Sequence, residues 1–335
     1  MVRSRTARCK PDGPEADPGR PPFPSFRDGR IPAPPPETRG RADEKRSLSR
    51  VSRDADCVQF LQWALPRLGL RWAGFWRVRW QVCRRILARA REVGVEGFGG
   101  YRDLLEGEEP GVPGSRAGEW KRLEFLCRIS ISRFYRDRGT WQELEKLVLP
   151  ELAGTSGSRE KAYLRAWSAG CASGEEPYTL TLLWDELREA HGDWPELRIL
   201  ATDRDPHLLR RVRASAYPEA TLKDLPPALK SRGFTRHPGT PEAHYRLRPS
   251  FRSGVHTVVA DVREGSPGRS FVLILLRNLA FTYFDEEGQR RALEIVLNAL
   301  EPGGVLVIGG HESLPEGTWP LEPVGRQGTL YRHAH

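Results

Sequence analysis

The sequence predicts an α/β protein: a parallel sheet in its second half, an all-helical domain before it, and a low-complexity tail at its start. Three observations carry this. From residue 163 onward, apolar runs rich in Val, Ile and Leu alternate with stretches of helical period, the rhythm of strands joined by crossover helices. Residues 55–152 show helical period alone. Residues 1–54 include "GPEADPGRPPFPSFRDGRIPAPPPETRGRADEKR", too rich in proline, glycine and charge to form a core. The chain thus divides into a disordered tail (1–54), a helical domain (55–152) and an α/β domain (153–335).

The tail is either a tether or a solvated extension. In the helical domain, "QVCRRILARAREVG" places Val82, Ile86, Leu87 and Ala90 on one stripe with arginines opposite. Trp72, Trp76 and Trp80 recur every four residues, as core residues or, less commonly, as a docking face. "GVEGFGGYRDLLEGEEPGVPGS" reads as turn, short helix and loop, and "EWKRLEFLCRIS" resumes helix. "TWQELEKLVLPEL" is a further amphipathic helix with Thr140 as its N-cap. Strands are expected near 163–167, 197–202, 255–260, 270–276 and 304–309, and helices near 177–190, 206–214 and 286–300. Residues 217–254 break the alternation. There "HYRLRPS" has the pattern of a short edge strand, so a small β-insert is expected.

Composition excludes several classes. The apolar run "FVLILL" is far short of the roughly 20 residues of a membrane span. No apolar h-region opens the sequence, so no secretory signal is expected. Cys9, Cys57, Cys83, Cys127 and Cys171 are odd in number and form no C-x-x-C pair. That points to reduced thiols in a cytoplasm, with no disulfide scaffold and no metal site. The net charge is +9, but residues 1–55 hold 13 Lys/Arg against 8 Asp/Glu and so carry +5 of it. The remainder lacks the concentrated charge of a nucleic-acid-binding domain.

The most informative stretch is "AWSAGCASGEEPYTLTLLW", residues 166–184, a strand, a small-residue turn and a helix. Glycines at a first strand–helix junction suit a nucleotide-like ligand. Yet G-x-G-x-x-G is missing, and a phosphate would meet Glu175 and Glu176 as like charges. A cationic or hydroxyl-bearing ligand fits better, and amides from Gly170 to Gly174 could meet a carboxylate. S-adenosylmethionine has all these groups. "LRILATDRD" adds Asp203 at the tip of the second strand, placed to accept from ribose hydroxyls, and Asp205 as a helix N-cap. "VVADVREG" ends its strand at Asp261 and Val262, where a carboxylate could accept from an adenine amine. Arg277 and Asn278 of "LLRNLAFTYFD" complete one crevice at the carboxyl ends of the strands. Cys171 reads as a small packed residue and His311–Glu312 as a strand-end loop contact.

"RAWSAGCASGEEPYTL", "LATDRD", "RNLAFTYFD" and "LEPGGVLVIGGHESL", in that order, resemble the chemotaxis-receptor (CheR-type) methyltransferases. "RRILARAREVGVEGFGGYRDLLE" and "RISISRFYRD" resemble that family's helical domain and its link to the catalytic domain. The likeness spans roughly residues 56–332. It implies a seven-stranded, Rossmann-like methyltransferase sheet with a helical N-terminal domain and a small antiparallel β-subdomain. It implies methyl transfer from S-adenosylmethionine to receptor glutamates, leaving methyl esters and S-adenosylhomocysteine, by a cytoplasmic monomer. By the resemblance, Arg136 and Tyr283 are the active-site arginine and tyrosine. Ser130, Ser132, Gly170, Gly174, Glu175, Asp203, Asp261, Val262, Arg277 and Asn278 are its cofactor contacts.

The sequence departs from the family pattern at Ser130-Ile131-Ser132 and at Tyr135. Asp261 stands in place of Asn, and one residue more separates Arg277-Asn278 from Tyr283. His311 directly precedes Glu312, where the usual spacing is one residue longer. Besides receptor methylation, the same residues allow a methyltransferase for another protein or a small acid, or a binder that does not turn over.

Overall fold

The computed structural model describes residues 54–107, 116–154, 163–192, 194–237, 245–268 and 270–334. The disordered-tail expectation, apart from residue 54, and the loop of residues 108–115 lie outside them.

The first half is helical. Helix α1 covers residues 54–67, followed by α2 (Trp72–Phe75), α3 (Arg79–Glu92), α4 (Gly97–Glu106) and α5 (Arg116–Leu126). Val82, Ile86 and Ala90 are buried on α3, as their spacing predicts, and Leu87 of the same stripe is half-buried against that core. The tryptophans behave otherwise. Trp76 and Trp80 are 52% and 50% exposed, because residues 76–78 form a turn that separates α2 from α3 and breaks the stripe. The Arg79 guanidinium lies 4.2 Å from the Trp76 ring centroid. The expectation of reduced thiols is also overturned for one pair. Cys57 on α1 and Cys83 on α3 form a buried disulfide. A tertiary neighbour 26 residues away leaves no mark in local spacing.

After a linker come α6 (Arg138–Glu143), a π-helical turn (Leu144–Val148) and α7 (Leu149–Gly154). Thr140 is not the N-cap. The helix begins two residues earlier, after Asp137 in a left-handed conformation, and Thr140 is buried within it.

The sheet has the order β6-β2-β1-β7-β8-β10-β9. Its strands are β1 (Tyr163–Ala169), β2 (Glu196–Asp203), β6 (Val255–Val259), β7 (Phe271–Leu275), β8 (Leu300–Val307), β9 (Leu321–Val324) and β10 (Leu330–His333). The first five of these run parallel, while β10 is antiparallel to β8 and to β9. Helices α8 (Glu175–His191), α9 (Pro206–Ala214), α11 (Ala280–Tyr283) and α12 (Glu286–Ala299) lie along this half, with α10 (Pro227–Gly233) among them in chain order. A second sheet, β3-β5-β4, is formed by Ala216–Tyr217, Tyr245–Leu247 and Phe234–Arg236. Tyr245–Leu247 is its central strand, not an edge, since it pairs on both sides.

Strand alternation divides the core into two layers. Trp167, Ile274 and Leu306 face a cluster continuous with the first-half helices and α12. Ala166, Leu273 and Val305 face the other, with α8 and α9. Each fully buried Leu, Ile or Val contributes about 1.5–3 kcal/mol by leaving water, so residues on both strand faces are apolar. The chain leaves β1 outward to β2 and β6, then returns to β7 and β8. That makes a topological switch point between β1 and β7, where ligands of open α/β sheets bind.

Candidate active site

A cavity of about 220 Å3 opens at the carboxyl ends of the strands. Gly170, Asp203, Asp261, Val262, Arg277 and Asn278 border it from the sheet side. Ser130, Ser132 and Arg136 border it from the linker before α6, and Tyr283 from α11. Gly174 and Glu175 are not among its lining residues, but Ser132, which is, hydrogen-bonds Glu175.

The glycine turn is built differently from its expectation of open amides. The Gly170 and Cys171 amides both donate to the Thr202 carbonyl at 2.8 Å, Ala172 N donates to Asp203 Oδ2 at 3.1 Å, and Gly174 N donates to the Cys171 carbonyl at 3.0 Å. The first three of these donors hold the turn against the end of β2, and the fourth closes the turn on itself. Gly174 sits at φ +95, a conformation that favours glycine, and starts α8. Cys171 is buried, which pushes its thiol pKa up and leaves it a packing residue.

Asp203 is oriented by two amides, with Oδ1 accepting from Asp205 N at 2.8 Å. A carboxylate has about four acceptor sites, so two remain for hydroxyls. Burial raises its pKa, against the pull of those two amides. Asp205 caps α9 by accepting from His207 N at 2.8 Å. Ser132 hydrogen-bonds Glu175, whose pKa is raised chiefly by burial, while Glu175 Oε2 is buried with no partner among the described residues. A buried orphan acceptor calls for a donor, and a ligand ammonium would supply one. Spare acceptors at Asp203 and an orphan at Glu175 are a donor-seeking set that fits the ribose and amino groups of S-adenosylmethionine.

Asp261 is differently placed. Its oxygens accept from Arg263 N, Nε and Nη2 at 3.0, 3.1 and 2.7 Å, and Arg204 Nη1 lies 3.4 Å away. The carboxylate's capacity is therefore spent largely on arginines, not left open for an adenine amine. Burial would raise its pKa, but the arginines hold it below the usual range.

Sequence reading missed the frame behind these residues. Glu176, the neighbour of Glu175, borders the cavity and is bonded by Ser168 Oγ at 2.7 Å and Arg277 Nη1 at 3.2 Å. Arg277 is buried, donates to the Arg136 carbonyl at 2.7 Å and to Asp137 at 3.1 Å, and lies over the Trp141 ring. Asp137 also accepts from Asn278 Nδ2 and Gly310 N. It is thus committed to the loops that follow β7 and β8. Arg136 Nη1 donates to the Ile131 carbonyl at 3.2 Å. Glu312 is the second anchor, accepting from Asn278 N, Gly309 N and Thr282 Oγ1, each at 2.7 Å. The contact expected of His311–Glu312 is therefore made by the glutamate. Glu312 was thus legible as a strand-end loop contact, while for Glu176 and Asp137 the only sequence signal was adjacency to Glu175 and Arg136.

Tyr283 is half-buried and its ring meets Phe75 of α2 edge-on, with centroids 5.2 Å apart. Burial raises its phenol pKa while the Arg136 charge opposes the rise, so at neutral pH it is a neutral hydroxyl. Tyr283 ends the four-residue helix α11, which follows Asn278 at φ +55.

A seven-stranded doubly wound sheet with this order, and a donor-seeking crevice at its switch point, defines an S-adenosylmethionine-dependent methyltransferase. The chain belongs to the CheR methyltransferase family: residues 130–327 match the CheR methyltransferase SAM-binding domain. It is 35% identical over 190 residues to the chemotaxis protein methyltransferase of Listeria monocytogenes, covering 56% of this chain and 67% of that protein. It is 30% identical over 235 residues to the chemotaxis protein methyltransferase of Escherichia coli K12, covering 69% and 76%. An uncharacterized 104.1 kDa protein of Rhodobacter capsulatus is 35% identical over 193 residues, and the chain spans 19% of its length.

Proposed function

We propose that the protein methylates glutamate side chains of a helical protein such as a chemotaxis receptor, with Arg136 and Tyr283 facing the acceptor and the crevice residues holding the cofactor. One observation carries the reading: Arg136, from the linker after α5, and Tyr283, from α11 after β7, border the same cavity as Asp203. The names of the Listeria and E. coli relatives point to the same acceptor class. The reading carries with it a cytoplasmic site of action; among the described residues, no helix is long and apolar enough to cross a membrane.

When bound, S-adenosylmethionine supplies a sulfonium methyl that a carboxylate oxygen takes in line, giving a methyl ester and S-adenosylhomocysteine. A glutamate of reference pKa about 4.3 is already ionised at neutral pH, so the chain need supply no base. Its tasks are orientation and exclusion of water. Asp203 and Glu175 hold the ribose and amino ends. Arg136 grips the acceptor carboxylate through its planar fork, which fixes angle as well as distance. Tyr283 lines the transfer zone, and Leu70, Phe75 and Val78 close it with apolar surface.

The test is incubation with tritiated S-adenosylmethionine and receptor-bearing membranes. Base-labile label on the receptor band is expected. Label on another protein or a small acid would reassign the acceptor. Cofactor binding without any label would make the protein a binder alone.

A further inference from the structure

Helix α11 has four residues, too short to hold itself together in water, yet it carries Tyr283. Its carboxyl end is held by a single residue of the helical half. Arg71 N donates to the Tyr283 carbonyl at 2.9 Å, Arg71 Nε donates to Thr282 O at 3.0 Å, and Arg71 Nη2 donates to Phe281 O. These carbonyls are acceptors that a helix end leaves without internal partners, and one side chain with its own amide satisfies three in a row. The neighbouring backbone follows the same path: Asp285 N donates to Gly69 O at 3.0 Å, and Leu70 bridges Phe284.

Gly74 makes the approach possible. A Cβ there would lie 2.1 Å from the Thr282 carbonyl oxygen, a backbone atom that cannot swing aside, and 3.1 Å from the Tyr283 ring. Phe75, the next residue, supplies the edge-on contact to that ring. Glu312 fixes the other end through Thr282 Oγ1 and Asn278 N. The reach of Tyr283 into the cavity is therefore set from two sides, and one side is the helical half.

We propose that Arg71 is a positioning residue for Tyr283, and that Gly74 is glycine because α2 must press directly on α11. The helical half would then complete the catalytic geometry as well as lie beside it. This rests on the active-site reading of Tyr283 given above.

A misplacement of about 1 Å can cost on the order of a hundredfold in rate. Arg71→Ala is therefore expected to lower kcat by about tenfold or more on a receptor cytoplasmic fragment, while S-adenosylhomocysteine affinity changes by less than about twofold. Arg71→Lys, which keeps the amide and one side-chain donor group but not the fork, is expected to recover part of the loss. Gly74→Ala is expected to mimic Arg71→Ala. Because Arg71 acts through Tyr283, the Arg71→Ala/Tyr283→Ala pair is expected to be no slower than Tyr283→Ala alone. Hydrogen exchange at the amides of residues 282–284 reads the clamp without any acceptor, and faster exchange in full-length Arg71→Ala is expected. Unchanged exchange, or losses that multiply in the pair, overturns the clamp. Full activity of Tyr283→Ala overturns the role of the tyrosine and the clamp's catalytic purpose with it, even where exchange quickens.

Discussion

Asp203 shows how a single carboxylate is prepared for a ligand. Two amides fix its orientation and leave acceptor sites toward the cavity. Hydrogen bonds to a charged group are worth about 1.5–3 kcal/mol each. Asp203→Ala is therefore expected to weaken S-adenosylhomocysteine binding at least about tenfold by calorimetry with the fold intact; unchanged affinity would remove Asp203 from the ribose. Arg136 makes the opposite prediction. Its variant Arg136→Ala is expected to abolish methyl transfer, and Arg136→Lys to be nearly as poor, because an ammonium cannot form the fork. Near wild-type turnover by Arg136→Ala would return Arg136 to the surface. Residues of this kind were legible because they lie in contiguous motifs at strand ends. Asp137 was not, and Glu312 was legible only as a loop contact, because Asp137 accepts from an amide 173 residues away and Glu312 reaches Asn278 N 34 residues away.

At the scale of elements, α5 is tied to the ends of β2 and β6 by Glu124. Its Oε1 accepts from Arg204 Nη1 and Arg263 Nη2, each at 2.7 Å. Burial alone would raise the Glu124 carboxyl, but the bonds from Arg204 and Arg263 hold its pKa at about 2. The folded pKa thus lies below the unfolded value of about 4.3, so the stabilisation is complete above that pH and is lost as pH falls toward the folded value. Glu124→Gln is expected to lower stability by about 1–3 kcal/mol at pH 7, and the gap to wild type should narrow below about pH 4.3. A gap in urea titrations that stays constant down to pH 3 would show that the charge is not what matters. Strand β7 was readable because burial on both faces makes it a continuous apolar run, whereas β6, with no buried residue, was marked only by its valines. The helix starting before Thr140 and the exposed Trp76 and Trp80 were not, because a tertiary anchor at Asp137 and a turn at residues 76–78 override local pattern.

At the scale of the whole molecule, alternating strands and helices announced the sheet, and the resemblance announced its seven strands. The order of those strands follows from how the chain winds out from β1 and back. The cavity is assembled from segments between Leu70 and Phe284, and no local window contains that arrangement. The Cys57–Cys83 disulfide is likewise a property of packed helices and not of cysteine spacing. The central claim is that this cavity joins the cofactor methyl to a protein carboxylate. Tandem mass spectrometry of a receptor cytoplasmic fragment, after incubation with S-adenosylmethionine and the full-length protein, tests it most directly. The account predicts a gain of one methyl on specific glutamates, reversed by mild base and missing with Arg136→Ala. Methyl found on another side-chain type, or an equal gain with Arg136→Ala, would contradict it.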